Sequence, residues 1–310
     1  MLATSELKIE KDAPIPTWFG IGGRADRMAR PESLEELRRC VELDTDLRVF
    51  GDGANLLVDD PGVSELVVEL TAREFTSVRR DDATGLTIAG AGVNLFDLIN
   101  QTVRPGLAGL EGLGGIPATV GGAVIMNAGG AFGQLSDSVA RVHAMDRCGR
   151  MLSLERSRID FGYRRSGLNH LIITSVELDL RPGDPKALRA RHKEVMAYKK
   201  TTQPMSANSA GCAFKNPCVP AAVAERLGQP LTGAQNGPQR ISAGLLLDHA
   251  GCKGMKVGGA EVSGEHANFF IAHAGARARD VIELMCRAAA RVKDAFGVDL
   301  EREVVVWSRA

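Results

Sequence analysis

Residues 109–130 read GLEGLGGIPATVGGAVIMNAGG, eight glycines in twenty-two positions with Glu111 as the one charged residue. Glycine at this density lets a backbone turn through positive φ and lie flat against a neighbour with its N–H groups exposed to it. The apolar residues in between (Leu110, Leu113, Ile116, Val120, Val124, Ile125 and Met126) favour burial over the looseness of a glycine linker. Such a wall suits a large planar ligand carrying a pyrophosphate. A tightly packed buried turn is the alternative reading.

The 310 residues leave room for two or three domains. Lys plus Arg and Asp plus Glu are 38 each, which argues against a nucleic-acid or membrane-surface partner, because either calls for a basic excess. Aromatic residues make up 5%, too few for stacking platforms along a single strand. The opening MLATSELKIEKDAP has no apolar h-region, and nowhere do eighteen apolar residues run together. The expected location is the cytoplasm, without membrane insertion. Six scattered cysteines form no C-x-x-C pair and are expected to be reduced, most of them as small core residues. With no H-E-x-x-H and no Cys/His cluster, no metal site is expected.

Periodicity predicts a helix over 31–43, where Leu34, Leu37 and Val41 share a face and Ser33 with Glu36 forms a capping-box pattern. Short β-type runs follow at 47–50, 66–70 and 86–89. The turns Gly51-Asp-Gly-Ala-Asn-Leu56 and Gly90-Ala-Gly-Val-Asn-Leu95 both fail G-x-G-x-x-G at the sixth position, which disfavours a standard dinucleotide-binding βαβ unit. Either turn can still present amides to phosphate oxygens or be a plain tight turn. Further expectations are a helix over 93–103, a strand over 171–180, boundary punctuation at RPGDP (181–185) and a basic helix over 184–200. The helix over 278–296 is the clearest, with Val281, Leu284, Met285, Ala288, Val292 and Phe296 in one stripe and Gly297 at the stop. A closing strand is expected at 304–307. Helices mixed with short strands on both sides of the boundary indicate an α+β organisation.

Four further segments carry chemistry-bearing side chains: FGYRRS (161–166), GCAFKNP (211–217), GGAEVSGEHANF (258–269) and LEREV (300–304). Each has a plain reading too. The arginines would be solvated, Cys212 a core residue, and His266 and Asn268 caps of a strand at 269–272. Glu301 and Glu303 would be surface partners of Arg302 and Arg309, worth little energetically.

In this order, together with TWFGIGG (17–23), GDGANLLV (51–58) and the glycine wall, these segments closely resemble the UDP-N-acetylenolpyruvoylglucosamine reductase family, called MurB. The matching motifs span residues 17 to 304. The resemblance implies an FAD-binding portion of the vanillyl-alcohol-oxidase (PCMH) type over 1–183, made of two α+β subdomains at about 1–80 and 81–183. A substrate-binding α+β domain over 184–310 would follow. It implies non-covalent FAD, NADPH as hydride donor, a UDP-sugar substrate and a monomer. The cofactor-binding residues would be Gly51, Asp52, Gly53, Ala54, Asn55, Leu56, Gly114, Gly115, Ile116, Thr119, Val120, Gly121, Gly122 and Ala123. Arg164 would polarise the enolpyruvyl group through its carboxylate, Glu303 would complete the electrostatic setting, and Cys212 would donate the final proton. Tyr163, Lys215, Asn216 and His266 would contact substrate.

Three departures stand out: Cys212 where the family pattern has serine, a long polar tract over 218–241, and only residues 167–172 between the Arg164 motif and the next strand. The last resembles the family's shorter branch. An oxidase on the same flavin fold, a nucleotide-sugar binding protein without flavin, and a hydrolase pairing Cys212 with His249 or His266 are the competing readings.

Overall fold

The structure, a computed structural model, describes residues 7–81, 86–204, 206–228 and 239–309. The chain divides into two compact units: Met1–Pro14, Ala25–Asp52 and Ser64–Thr201 form the first, and Ile15–Arg24, Gly53–Val63 and Thr202–Ala310 the second. The chain thus passes between the units several times before residue 64. The last division falls at 201/202, after the basic helix, whereas the punctuation at 181–185 suggested 183/184.

Two larger sheets form the frame of the first unit. One runs in the order Ile9–Ala13, Ala25–Ala29, Val63–Glu69, Arg48–Phe50, and its last pair is parallel. The other is a five-stranded antiparallel sheet in the order Met151–Glu155, Val139–Met145, Ile172–Asp179, Leu86–Gly90, Val78–Arg80. One apolar core runs through both, including Leu37, Leu66, Leu98, Val142, Ile172 and Leu178. The helix Leu34–Leu43 buries Leu37, Cys40 and Val41 in it. The Ser33 hydroxyl accepts from Glu36 N–H at 3.2 Å, but the Glu36 carboxylate accepts from Glu32 N–H at 2.9 Å. The expected capping box is therefore half formed, its returning bond shifted back by one residue. The second expected helix begins at Leu95 because the Asn94 side chain caps Phe96 N–H and Asp97 N–H.

In the second unit Val305–Trp307 pairs in parallel with Leu56–Val58. A three-stranded antiparallel sheet is built from Lys256–Val257, Ala260–Val262 and Phe270–Ala272. The helix Ala278–Phe296 packs its stripe on this sheet, with Val281, Leu284, Met285, Ala288 and Val292 fully buried and Phe296 half-buried. Burying each of the larger stripe residues is worth about 1.5–3 kcal/mol in transfer free energy. Gly297 ends the helix at φ 68°, the left-handed position where glycine carries no Cβ penalty.

Only Cys40 and Cys252 of the six cysteines are buried, contrary to the expectation that most would be. Cys148 sits in the turn between two strands, Cys218 in a hairpin and Cys286 on the outer face of Ala278–Phe296, all three exposed. Burial pushes the Cys40 thiol up to about 12. Among the described residues no group of His, Cys, Asp and Glu could hold a metal, and no helix is long and apolar enough to cross a membrane. Of the polar tract over 218–241, residues 229–238 lie outside the described residues.

Candidate active site

The glycine wall folds as a short helix, Val120–Ile125, framed by turns. Thr119 caps it, its hydroxyl accepting from Gly122 N–H at 3.3 Å, while Gly121 N–H donates to Ala91 O at 2.8 Å. Val120, Ala123 and Val124 point into the core and Gly122 is exposed, so toward solvent the helix shows mostly backbone. The Gly51 turn comes up against this segment, and a Cβ at Gly51 would stand 2.8 Å from Thr119 Oγ1. Part of the glycine content serves close packing instead: a Cβ at Gly114 would stand 2.6 Å from His192 Cδ2, on the helix Pro185–Thr202. Burial against the wall lowers the His192 pKa below the ordinary imidazole value. At Gly114 the segment is therefore a tightly packed buried turn, while around Gly122 its backbone is open to solvent.

Of the expected cofactor residues, Val120, Ala123, Ala54 and Leu56 have buried side chains, so only their backbones can face a ligand. Gly115 lies half-buried beside the helix Pro185–Thr202, Ile116 is half-buried against the core of the first unit, and Gly53 takes φ 68°. Asp52 is half-buried in the first unit, and Asn55, in the second, turns its side chain to the Glu303 carbonyl at 3.1 Å.

Arg164 belongs to the first unit. A tight turn is closed by Gly162 N–H to Arg165 O at 2.9 Å and Arg165 N–H to Gly162 O at 3.3 Å, with Tyr163 and Arg164 at its tip. Arg164 has φ 55°, a region costly for a residue with a Cβ. Its Nη1 donates to Gly129 O at 2.7 Å, and its guanidinium lies 5.5 Å from the Tyr163 ring centroid. The neighbouring Arg165 is exposed and pairs with Asp160 at 3.0 Å, so one arginine of the pair is solvated, as the plain reading had it, and the other is fixed.

Cys212 and Glu303 belong to the second unit, which gathers three of the motifs. Ala213 N–H donates to Asn268 O and Ala213 O accepts from Glu303 N–H, both at 2.8 Å. Cys212 itself bridges to Phe269, and Phe214 to Arg302. Lys215 Nζ reaches Glu301 at 2.6 Å, and Lys215 N–H donates to Glu301 O at 2.9 Å. Glu301 takes Lys215 as its ion-pair partner, while Arg302 lies on the Cys286 sulfur at 3.1 Å and Arg309 donates to Pro61 O at 3.2 Å.

Asn216 accepts from Ala243 N–H at 3.0 Å, at the start of the helix Ala243–His249. His266 packs edge-on against Phe269, ring centroids 4.9 Å apart. Its Nδ1 accepts from Asn268 N–H at 3.2 Å, which puts the proton of the neutral ring on Nε2. Burial holds its pKa below the ordinary imidazole value. Two asparagines outside the expected site residues hold these segments, one within each unit. Asn268 clamps the Cys212 segment, and Asn127 in the glycine wall bonds the turn carrying Arg164. The local signal was faint: an asparagine after a short helix, and one beside a strand start.

Residues 203–307 match the family model described as UDP-N-acetylenolpyruvoylglucosamine reductase, C-terminal domain, and residues 25–155 match an FAD binding domain. The UDP-N-acetylenolpyruvoylglucosamine reductase of Moorella thermoacetica is 40% identical over 296 residues, covering 94% of this chain and 90% of that protein. The reductase of Heliobacterium modesticaldum is also 40% identical, covering 94% and 87%. The crystal structure of MurB from Thermus caldophilus superposes with a TM-score of 0.79 at 39% identity, covering 97% of this chain and all of that one. Matched along nearly its whole length, this chain belongs to the UDP-N-acetylenolpyruvoylglucosamine reductase (MurB) family.

Proposed function

We propose that the protein reduces the enolpyruvyl group of UDP-N-acetylenolpyruvoylglucosamine to give UDP-N-acetylmuramate, a step of peptidoglycan precursor synthesis, using non-covalent FAD and NADPH. The observation that carries this reading is Arg164, held at φ 55° with its guanidinium on the Gly129 carbonyl. A left-handed backbone at such a residue costs on the order of 1–2 kcal/mol, and strain of this kind clusters at functional sites.

The residues present suit FAD. Gly51, which carries no side chain, packs on the Thr119 hydroxyl that caps Val120–Ile125, and Gly122 leaves backbone exposed beside it, which suits the close approach of the cofactor. Neither 51–58 nor 109–130 contains a His or Cys that could tether a flavin. FAD, once reduced by NADPH, supplies the hydride.

Addition of hydride to the terminal carbon of the enolpyruvyl double bond leaves an electron pair shared by the α-carbon and the carboxylate. In the first unit, the Arg164 guanidinium binds that carboxylate and stabilises the charge as it grows. Tyr163, beside it, contacts the substrate. In the second unit, Cys212 delivers a proton to the α-carbon, and Glu303, tied to the neighbouring Ala213, completes the charge environment. Lys215, Asn216 and His266 contact the UDP-sugar. On this reading the enzyme works in the cytoplasm as a monomer, on small molecules alone.

The purified protein should be yellow, and acid precipitation should leave a colourless pellet under a yellow supernatant. Beyond the single equivalent that reduces the flavin, NADPH should be turned over under anaerobic conditions only when the enolpyruvyl substrate is present. Colour retained in the pellet would contradict the non-covalent FAD. Oxygen consumption without added NADPH would favour an oxidase over the reductase.

A further inference from the structure

Asn127 follows the helix Val120–Ile125 and takes φ 42°, while Ala128 N–H returns to Ala123 O at 2.8 Å. This is the left-handed position after a helix end, where glycine or asparagine is favoured. The backbone alone would therefore accept glycine, as its neighbours in this segment do. The side chain does something glycine could not. It is 2% exposed, its Oδ1 accepts from Ser136 N–H at 3.1 Å, and its Nδ2 donates to Gln134 Oε1 at 3.2 Å and to Gly162 O at 3.0 Å. Both donor hydrogens and an acceptor site are thus used inside the protein.

Gly162 O is the carbonyl that closes the Arg164 turn by accepting from Arg165 N–H. Two residues beyond Asn127, Gly129 O takes Arg164 Nη1. A stretch of three residues, 127–129, therefore holds both the base of the turn and the guanidinium at its tip. Ser166, just past the turn, donates its hydroxyl to Ile125 O at 2.9 Å and strengthens the same attachment.

We propose that Asn127 is a positioning residue for Arg164, its carboxamide fixing the turn so that the guanidinium is presented to the substrate carboxylate in one geometry. This rests on the reading of Arg164 given under Proposed function. The strained φ of Arg164 needs surrounding structure that over-determines it, and the Asn127 bond to Gly162 is part of that structure. Outer-shell partners that orient metal ligands carry about ten- to a hundredfold in activity, and a residue that orients a guanidinium is expected to act on the same scale.

The test uses the flavin-loaded enzyme and Asn127→Gly, which suits the left-handed backbone and removes only the carboxamide. Bleaching of the flavin by NADPH should stay at the parent rate, and reoxidation by the enolpyruvyl substrate should slow by about ten- to a hundredfold. Calorimetric affinity for the enolpyruvyl substrate should fall, whereas affinity for UDP-N-acetylglucosamine, which lacks the carboxylate, should not change. Added to Arg164→Ala, the substitution should slow reoxidation by no more than about twofold, because the two residues act as one unit. If the glycine variant does not fold, Asn127→Asp, which keeps the acceptor for Ser136 and loses the donors, should show the same pattern. Parent-like reoxidation in the Asn127 variant, a loss that multiplies with that of Arg164→Ala, or equal weakening toward both ligands overturns the proposal. Unchanged reoxidation in Arg164→Ala alone would instead remove the role assigned to Arg164.

Discussion

Asn268 pairs with Phe214 as a neighbouring strand would: Phe214 N–H donates to its Oδ1 at 2.9 Å, and its Nδ2 donates to Phe214 O at 2.8 Å. Both residues are 1% exposed, so neither backbone group of Phe214 can turn to water instead. Through this clamp the segment carrying Cys212 is locked to the one carrying His266. Asn268→Ala should cost on the order of 1–3 kcal/mol for each backbone group it orphans, read as a lower midpoint in denaturant unfolding. Asn268→Asp keeps the acceptor and should fall between the two.

The Cys212 thiol should be replaceable by a hydroxyl. Cys212→Ser keeps one transferable proton in the same place and should retain turnover, whereas Cys212→Ala should accept hydride from NADPH but be reoxidised very slowly by substrate. A thiol ordinarily titrates near about 8.5, and a thiolate cannot donate the proton. The parent pH–rate profile should therefore fall on the alkaline side, and Cys212→Ser should move that limb upward. Full activity in the alanine variant would return Cys212 to a structural role.

Protonation of His266 should be linked to folding. Burial holds its pKa below the ordinary 6.5, so the unfolded chain binds this proton at a higher pH than the folded one. Its contribution is fully present above about 6.5 and is lost as the pH falls toward the folded value. His192 shifts in the same direction for the same reason. Unfolding free energy measured against pH should decline below 6.5, and His266→Gln should make that decline shallower. An unchanged slope would show that folding does not depress the His266 pKa.

How far the fold could be read in advance depended on how local its causes were. The helix Ala278–Phe296 was legible to the residue, because its stripe, the glycine after it and its packing face all repeat a single period. The strand Ile172–Asp179 was legible from its β-branched run. Ala25–Ala29 has no β-branched residue and is a strand because it lies between Ile9–Ala13 and Val63–Glu69 in the sheet. Val139–Met145 hid because register shifts against Ile172–Asp179 break its alternation.

The site followed the same rule. The motifs were visible as strings, but the order imposed on them by Asn127 and Asn268 comes from hydrogen bonds spanning 35 and 54 residues. No local pattern announces such partners. The bonds Glu303 makes to Ala213 and Asn55 also join parts of the chain far apart in sequence.

The most direct test follows the two halves of the reaction separately, by anaerobic stopped-flow absorbance of the flavin in the parent enzyme and in Arg164→Ala. NADPH should bleach the flavin at the same rate in both. Reoxidation by UDP-N-acetylenolpyruvoylglucosamine should be slower in the variant by roughly 10²–10³, the loss expected for one charge-stabilising donor. Failure of NADPH to reduce the variant, or reoxidation at the parent rate, would contradict the account.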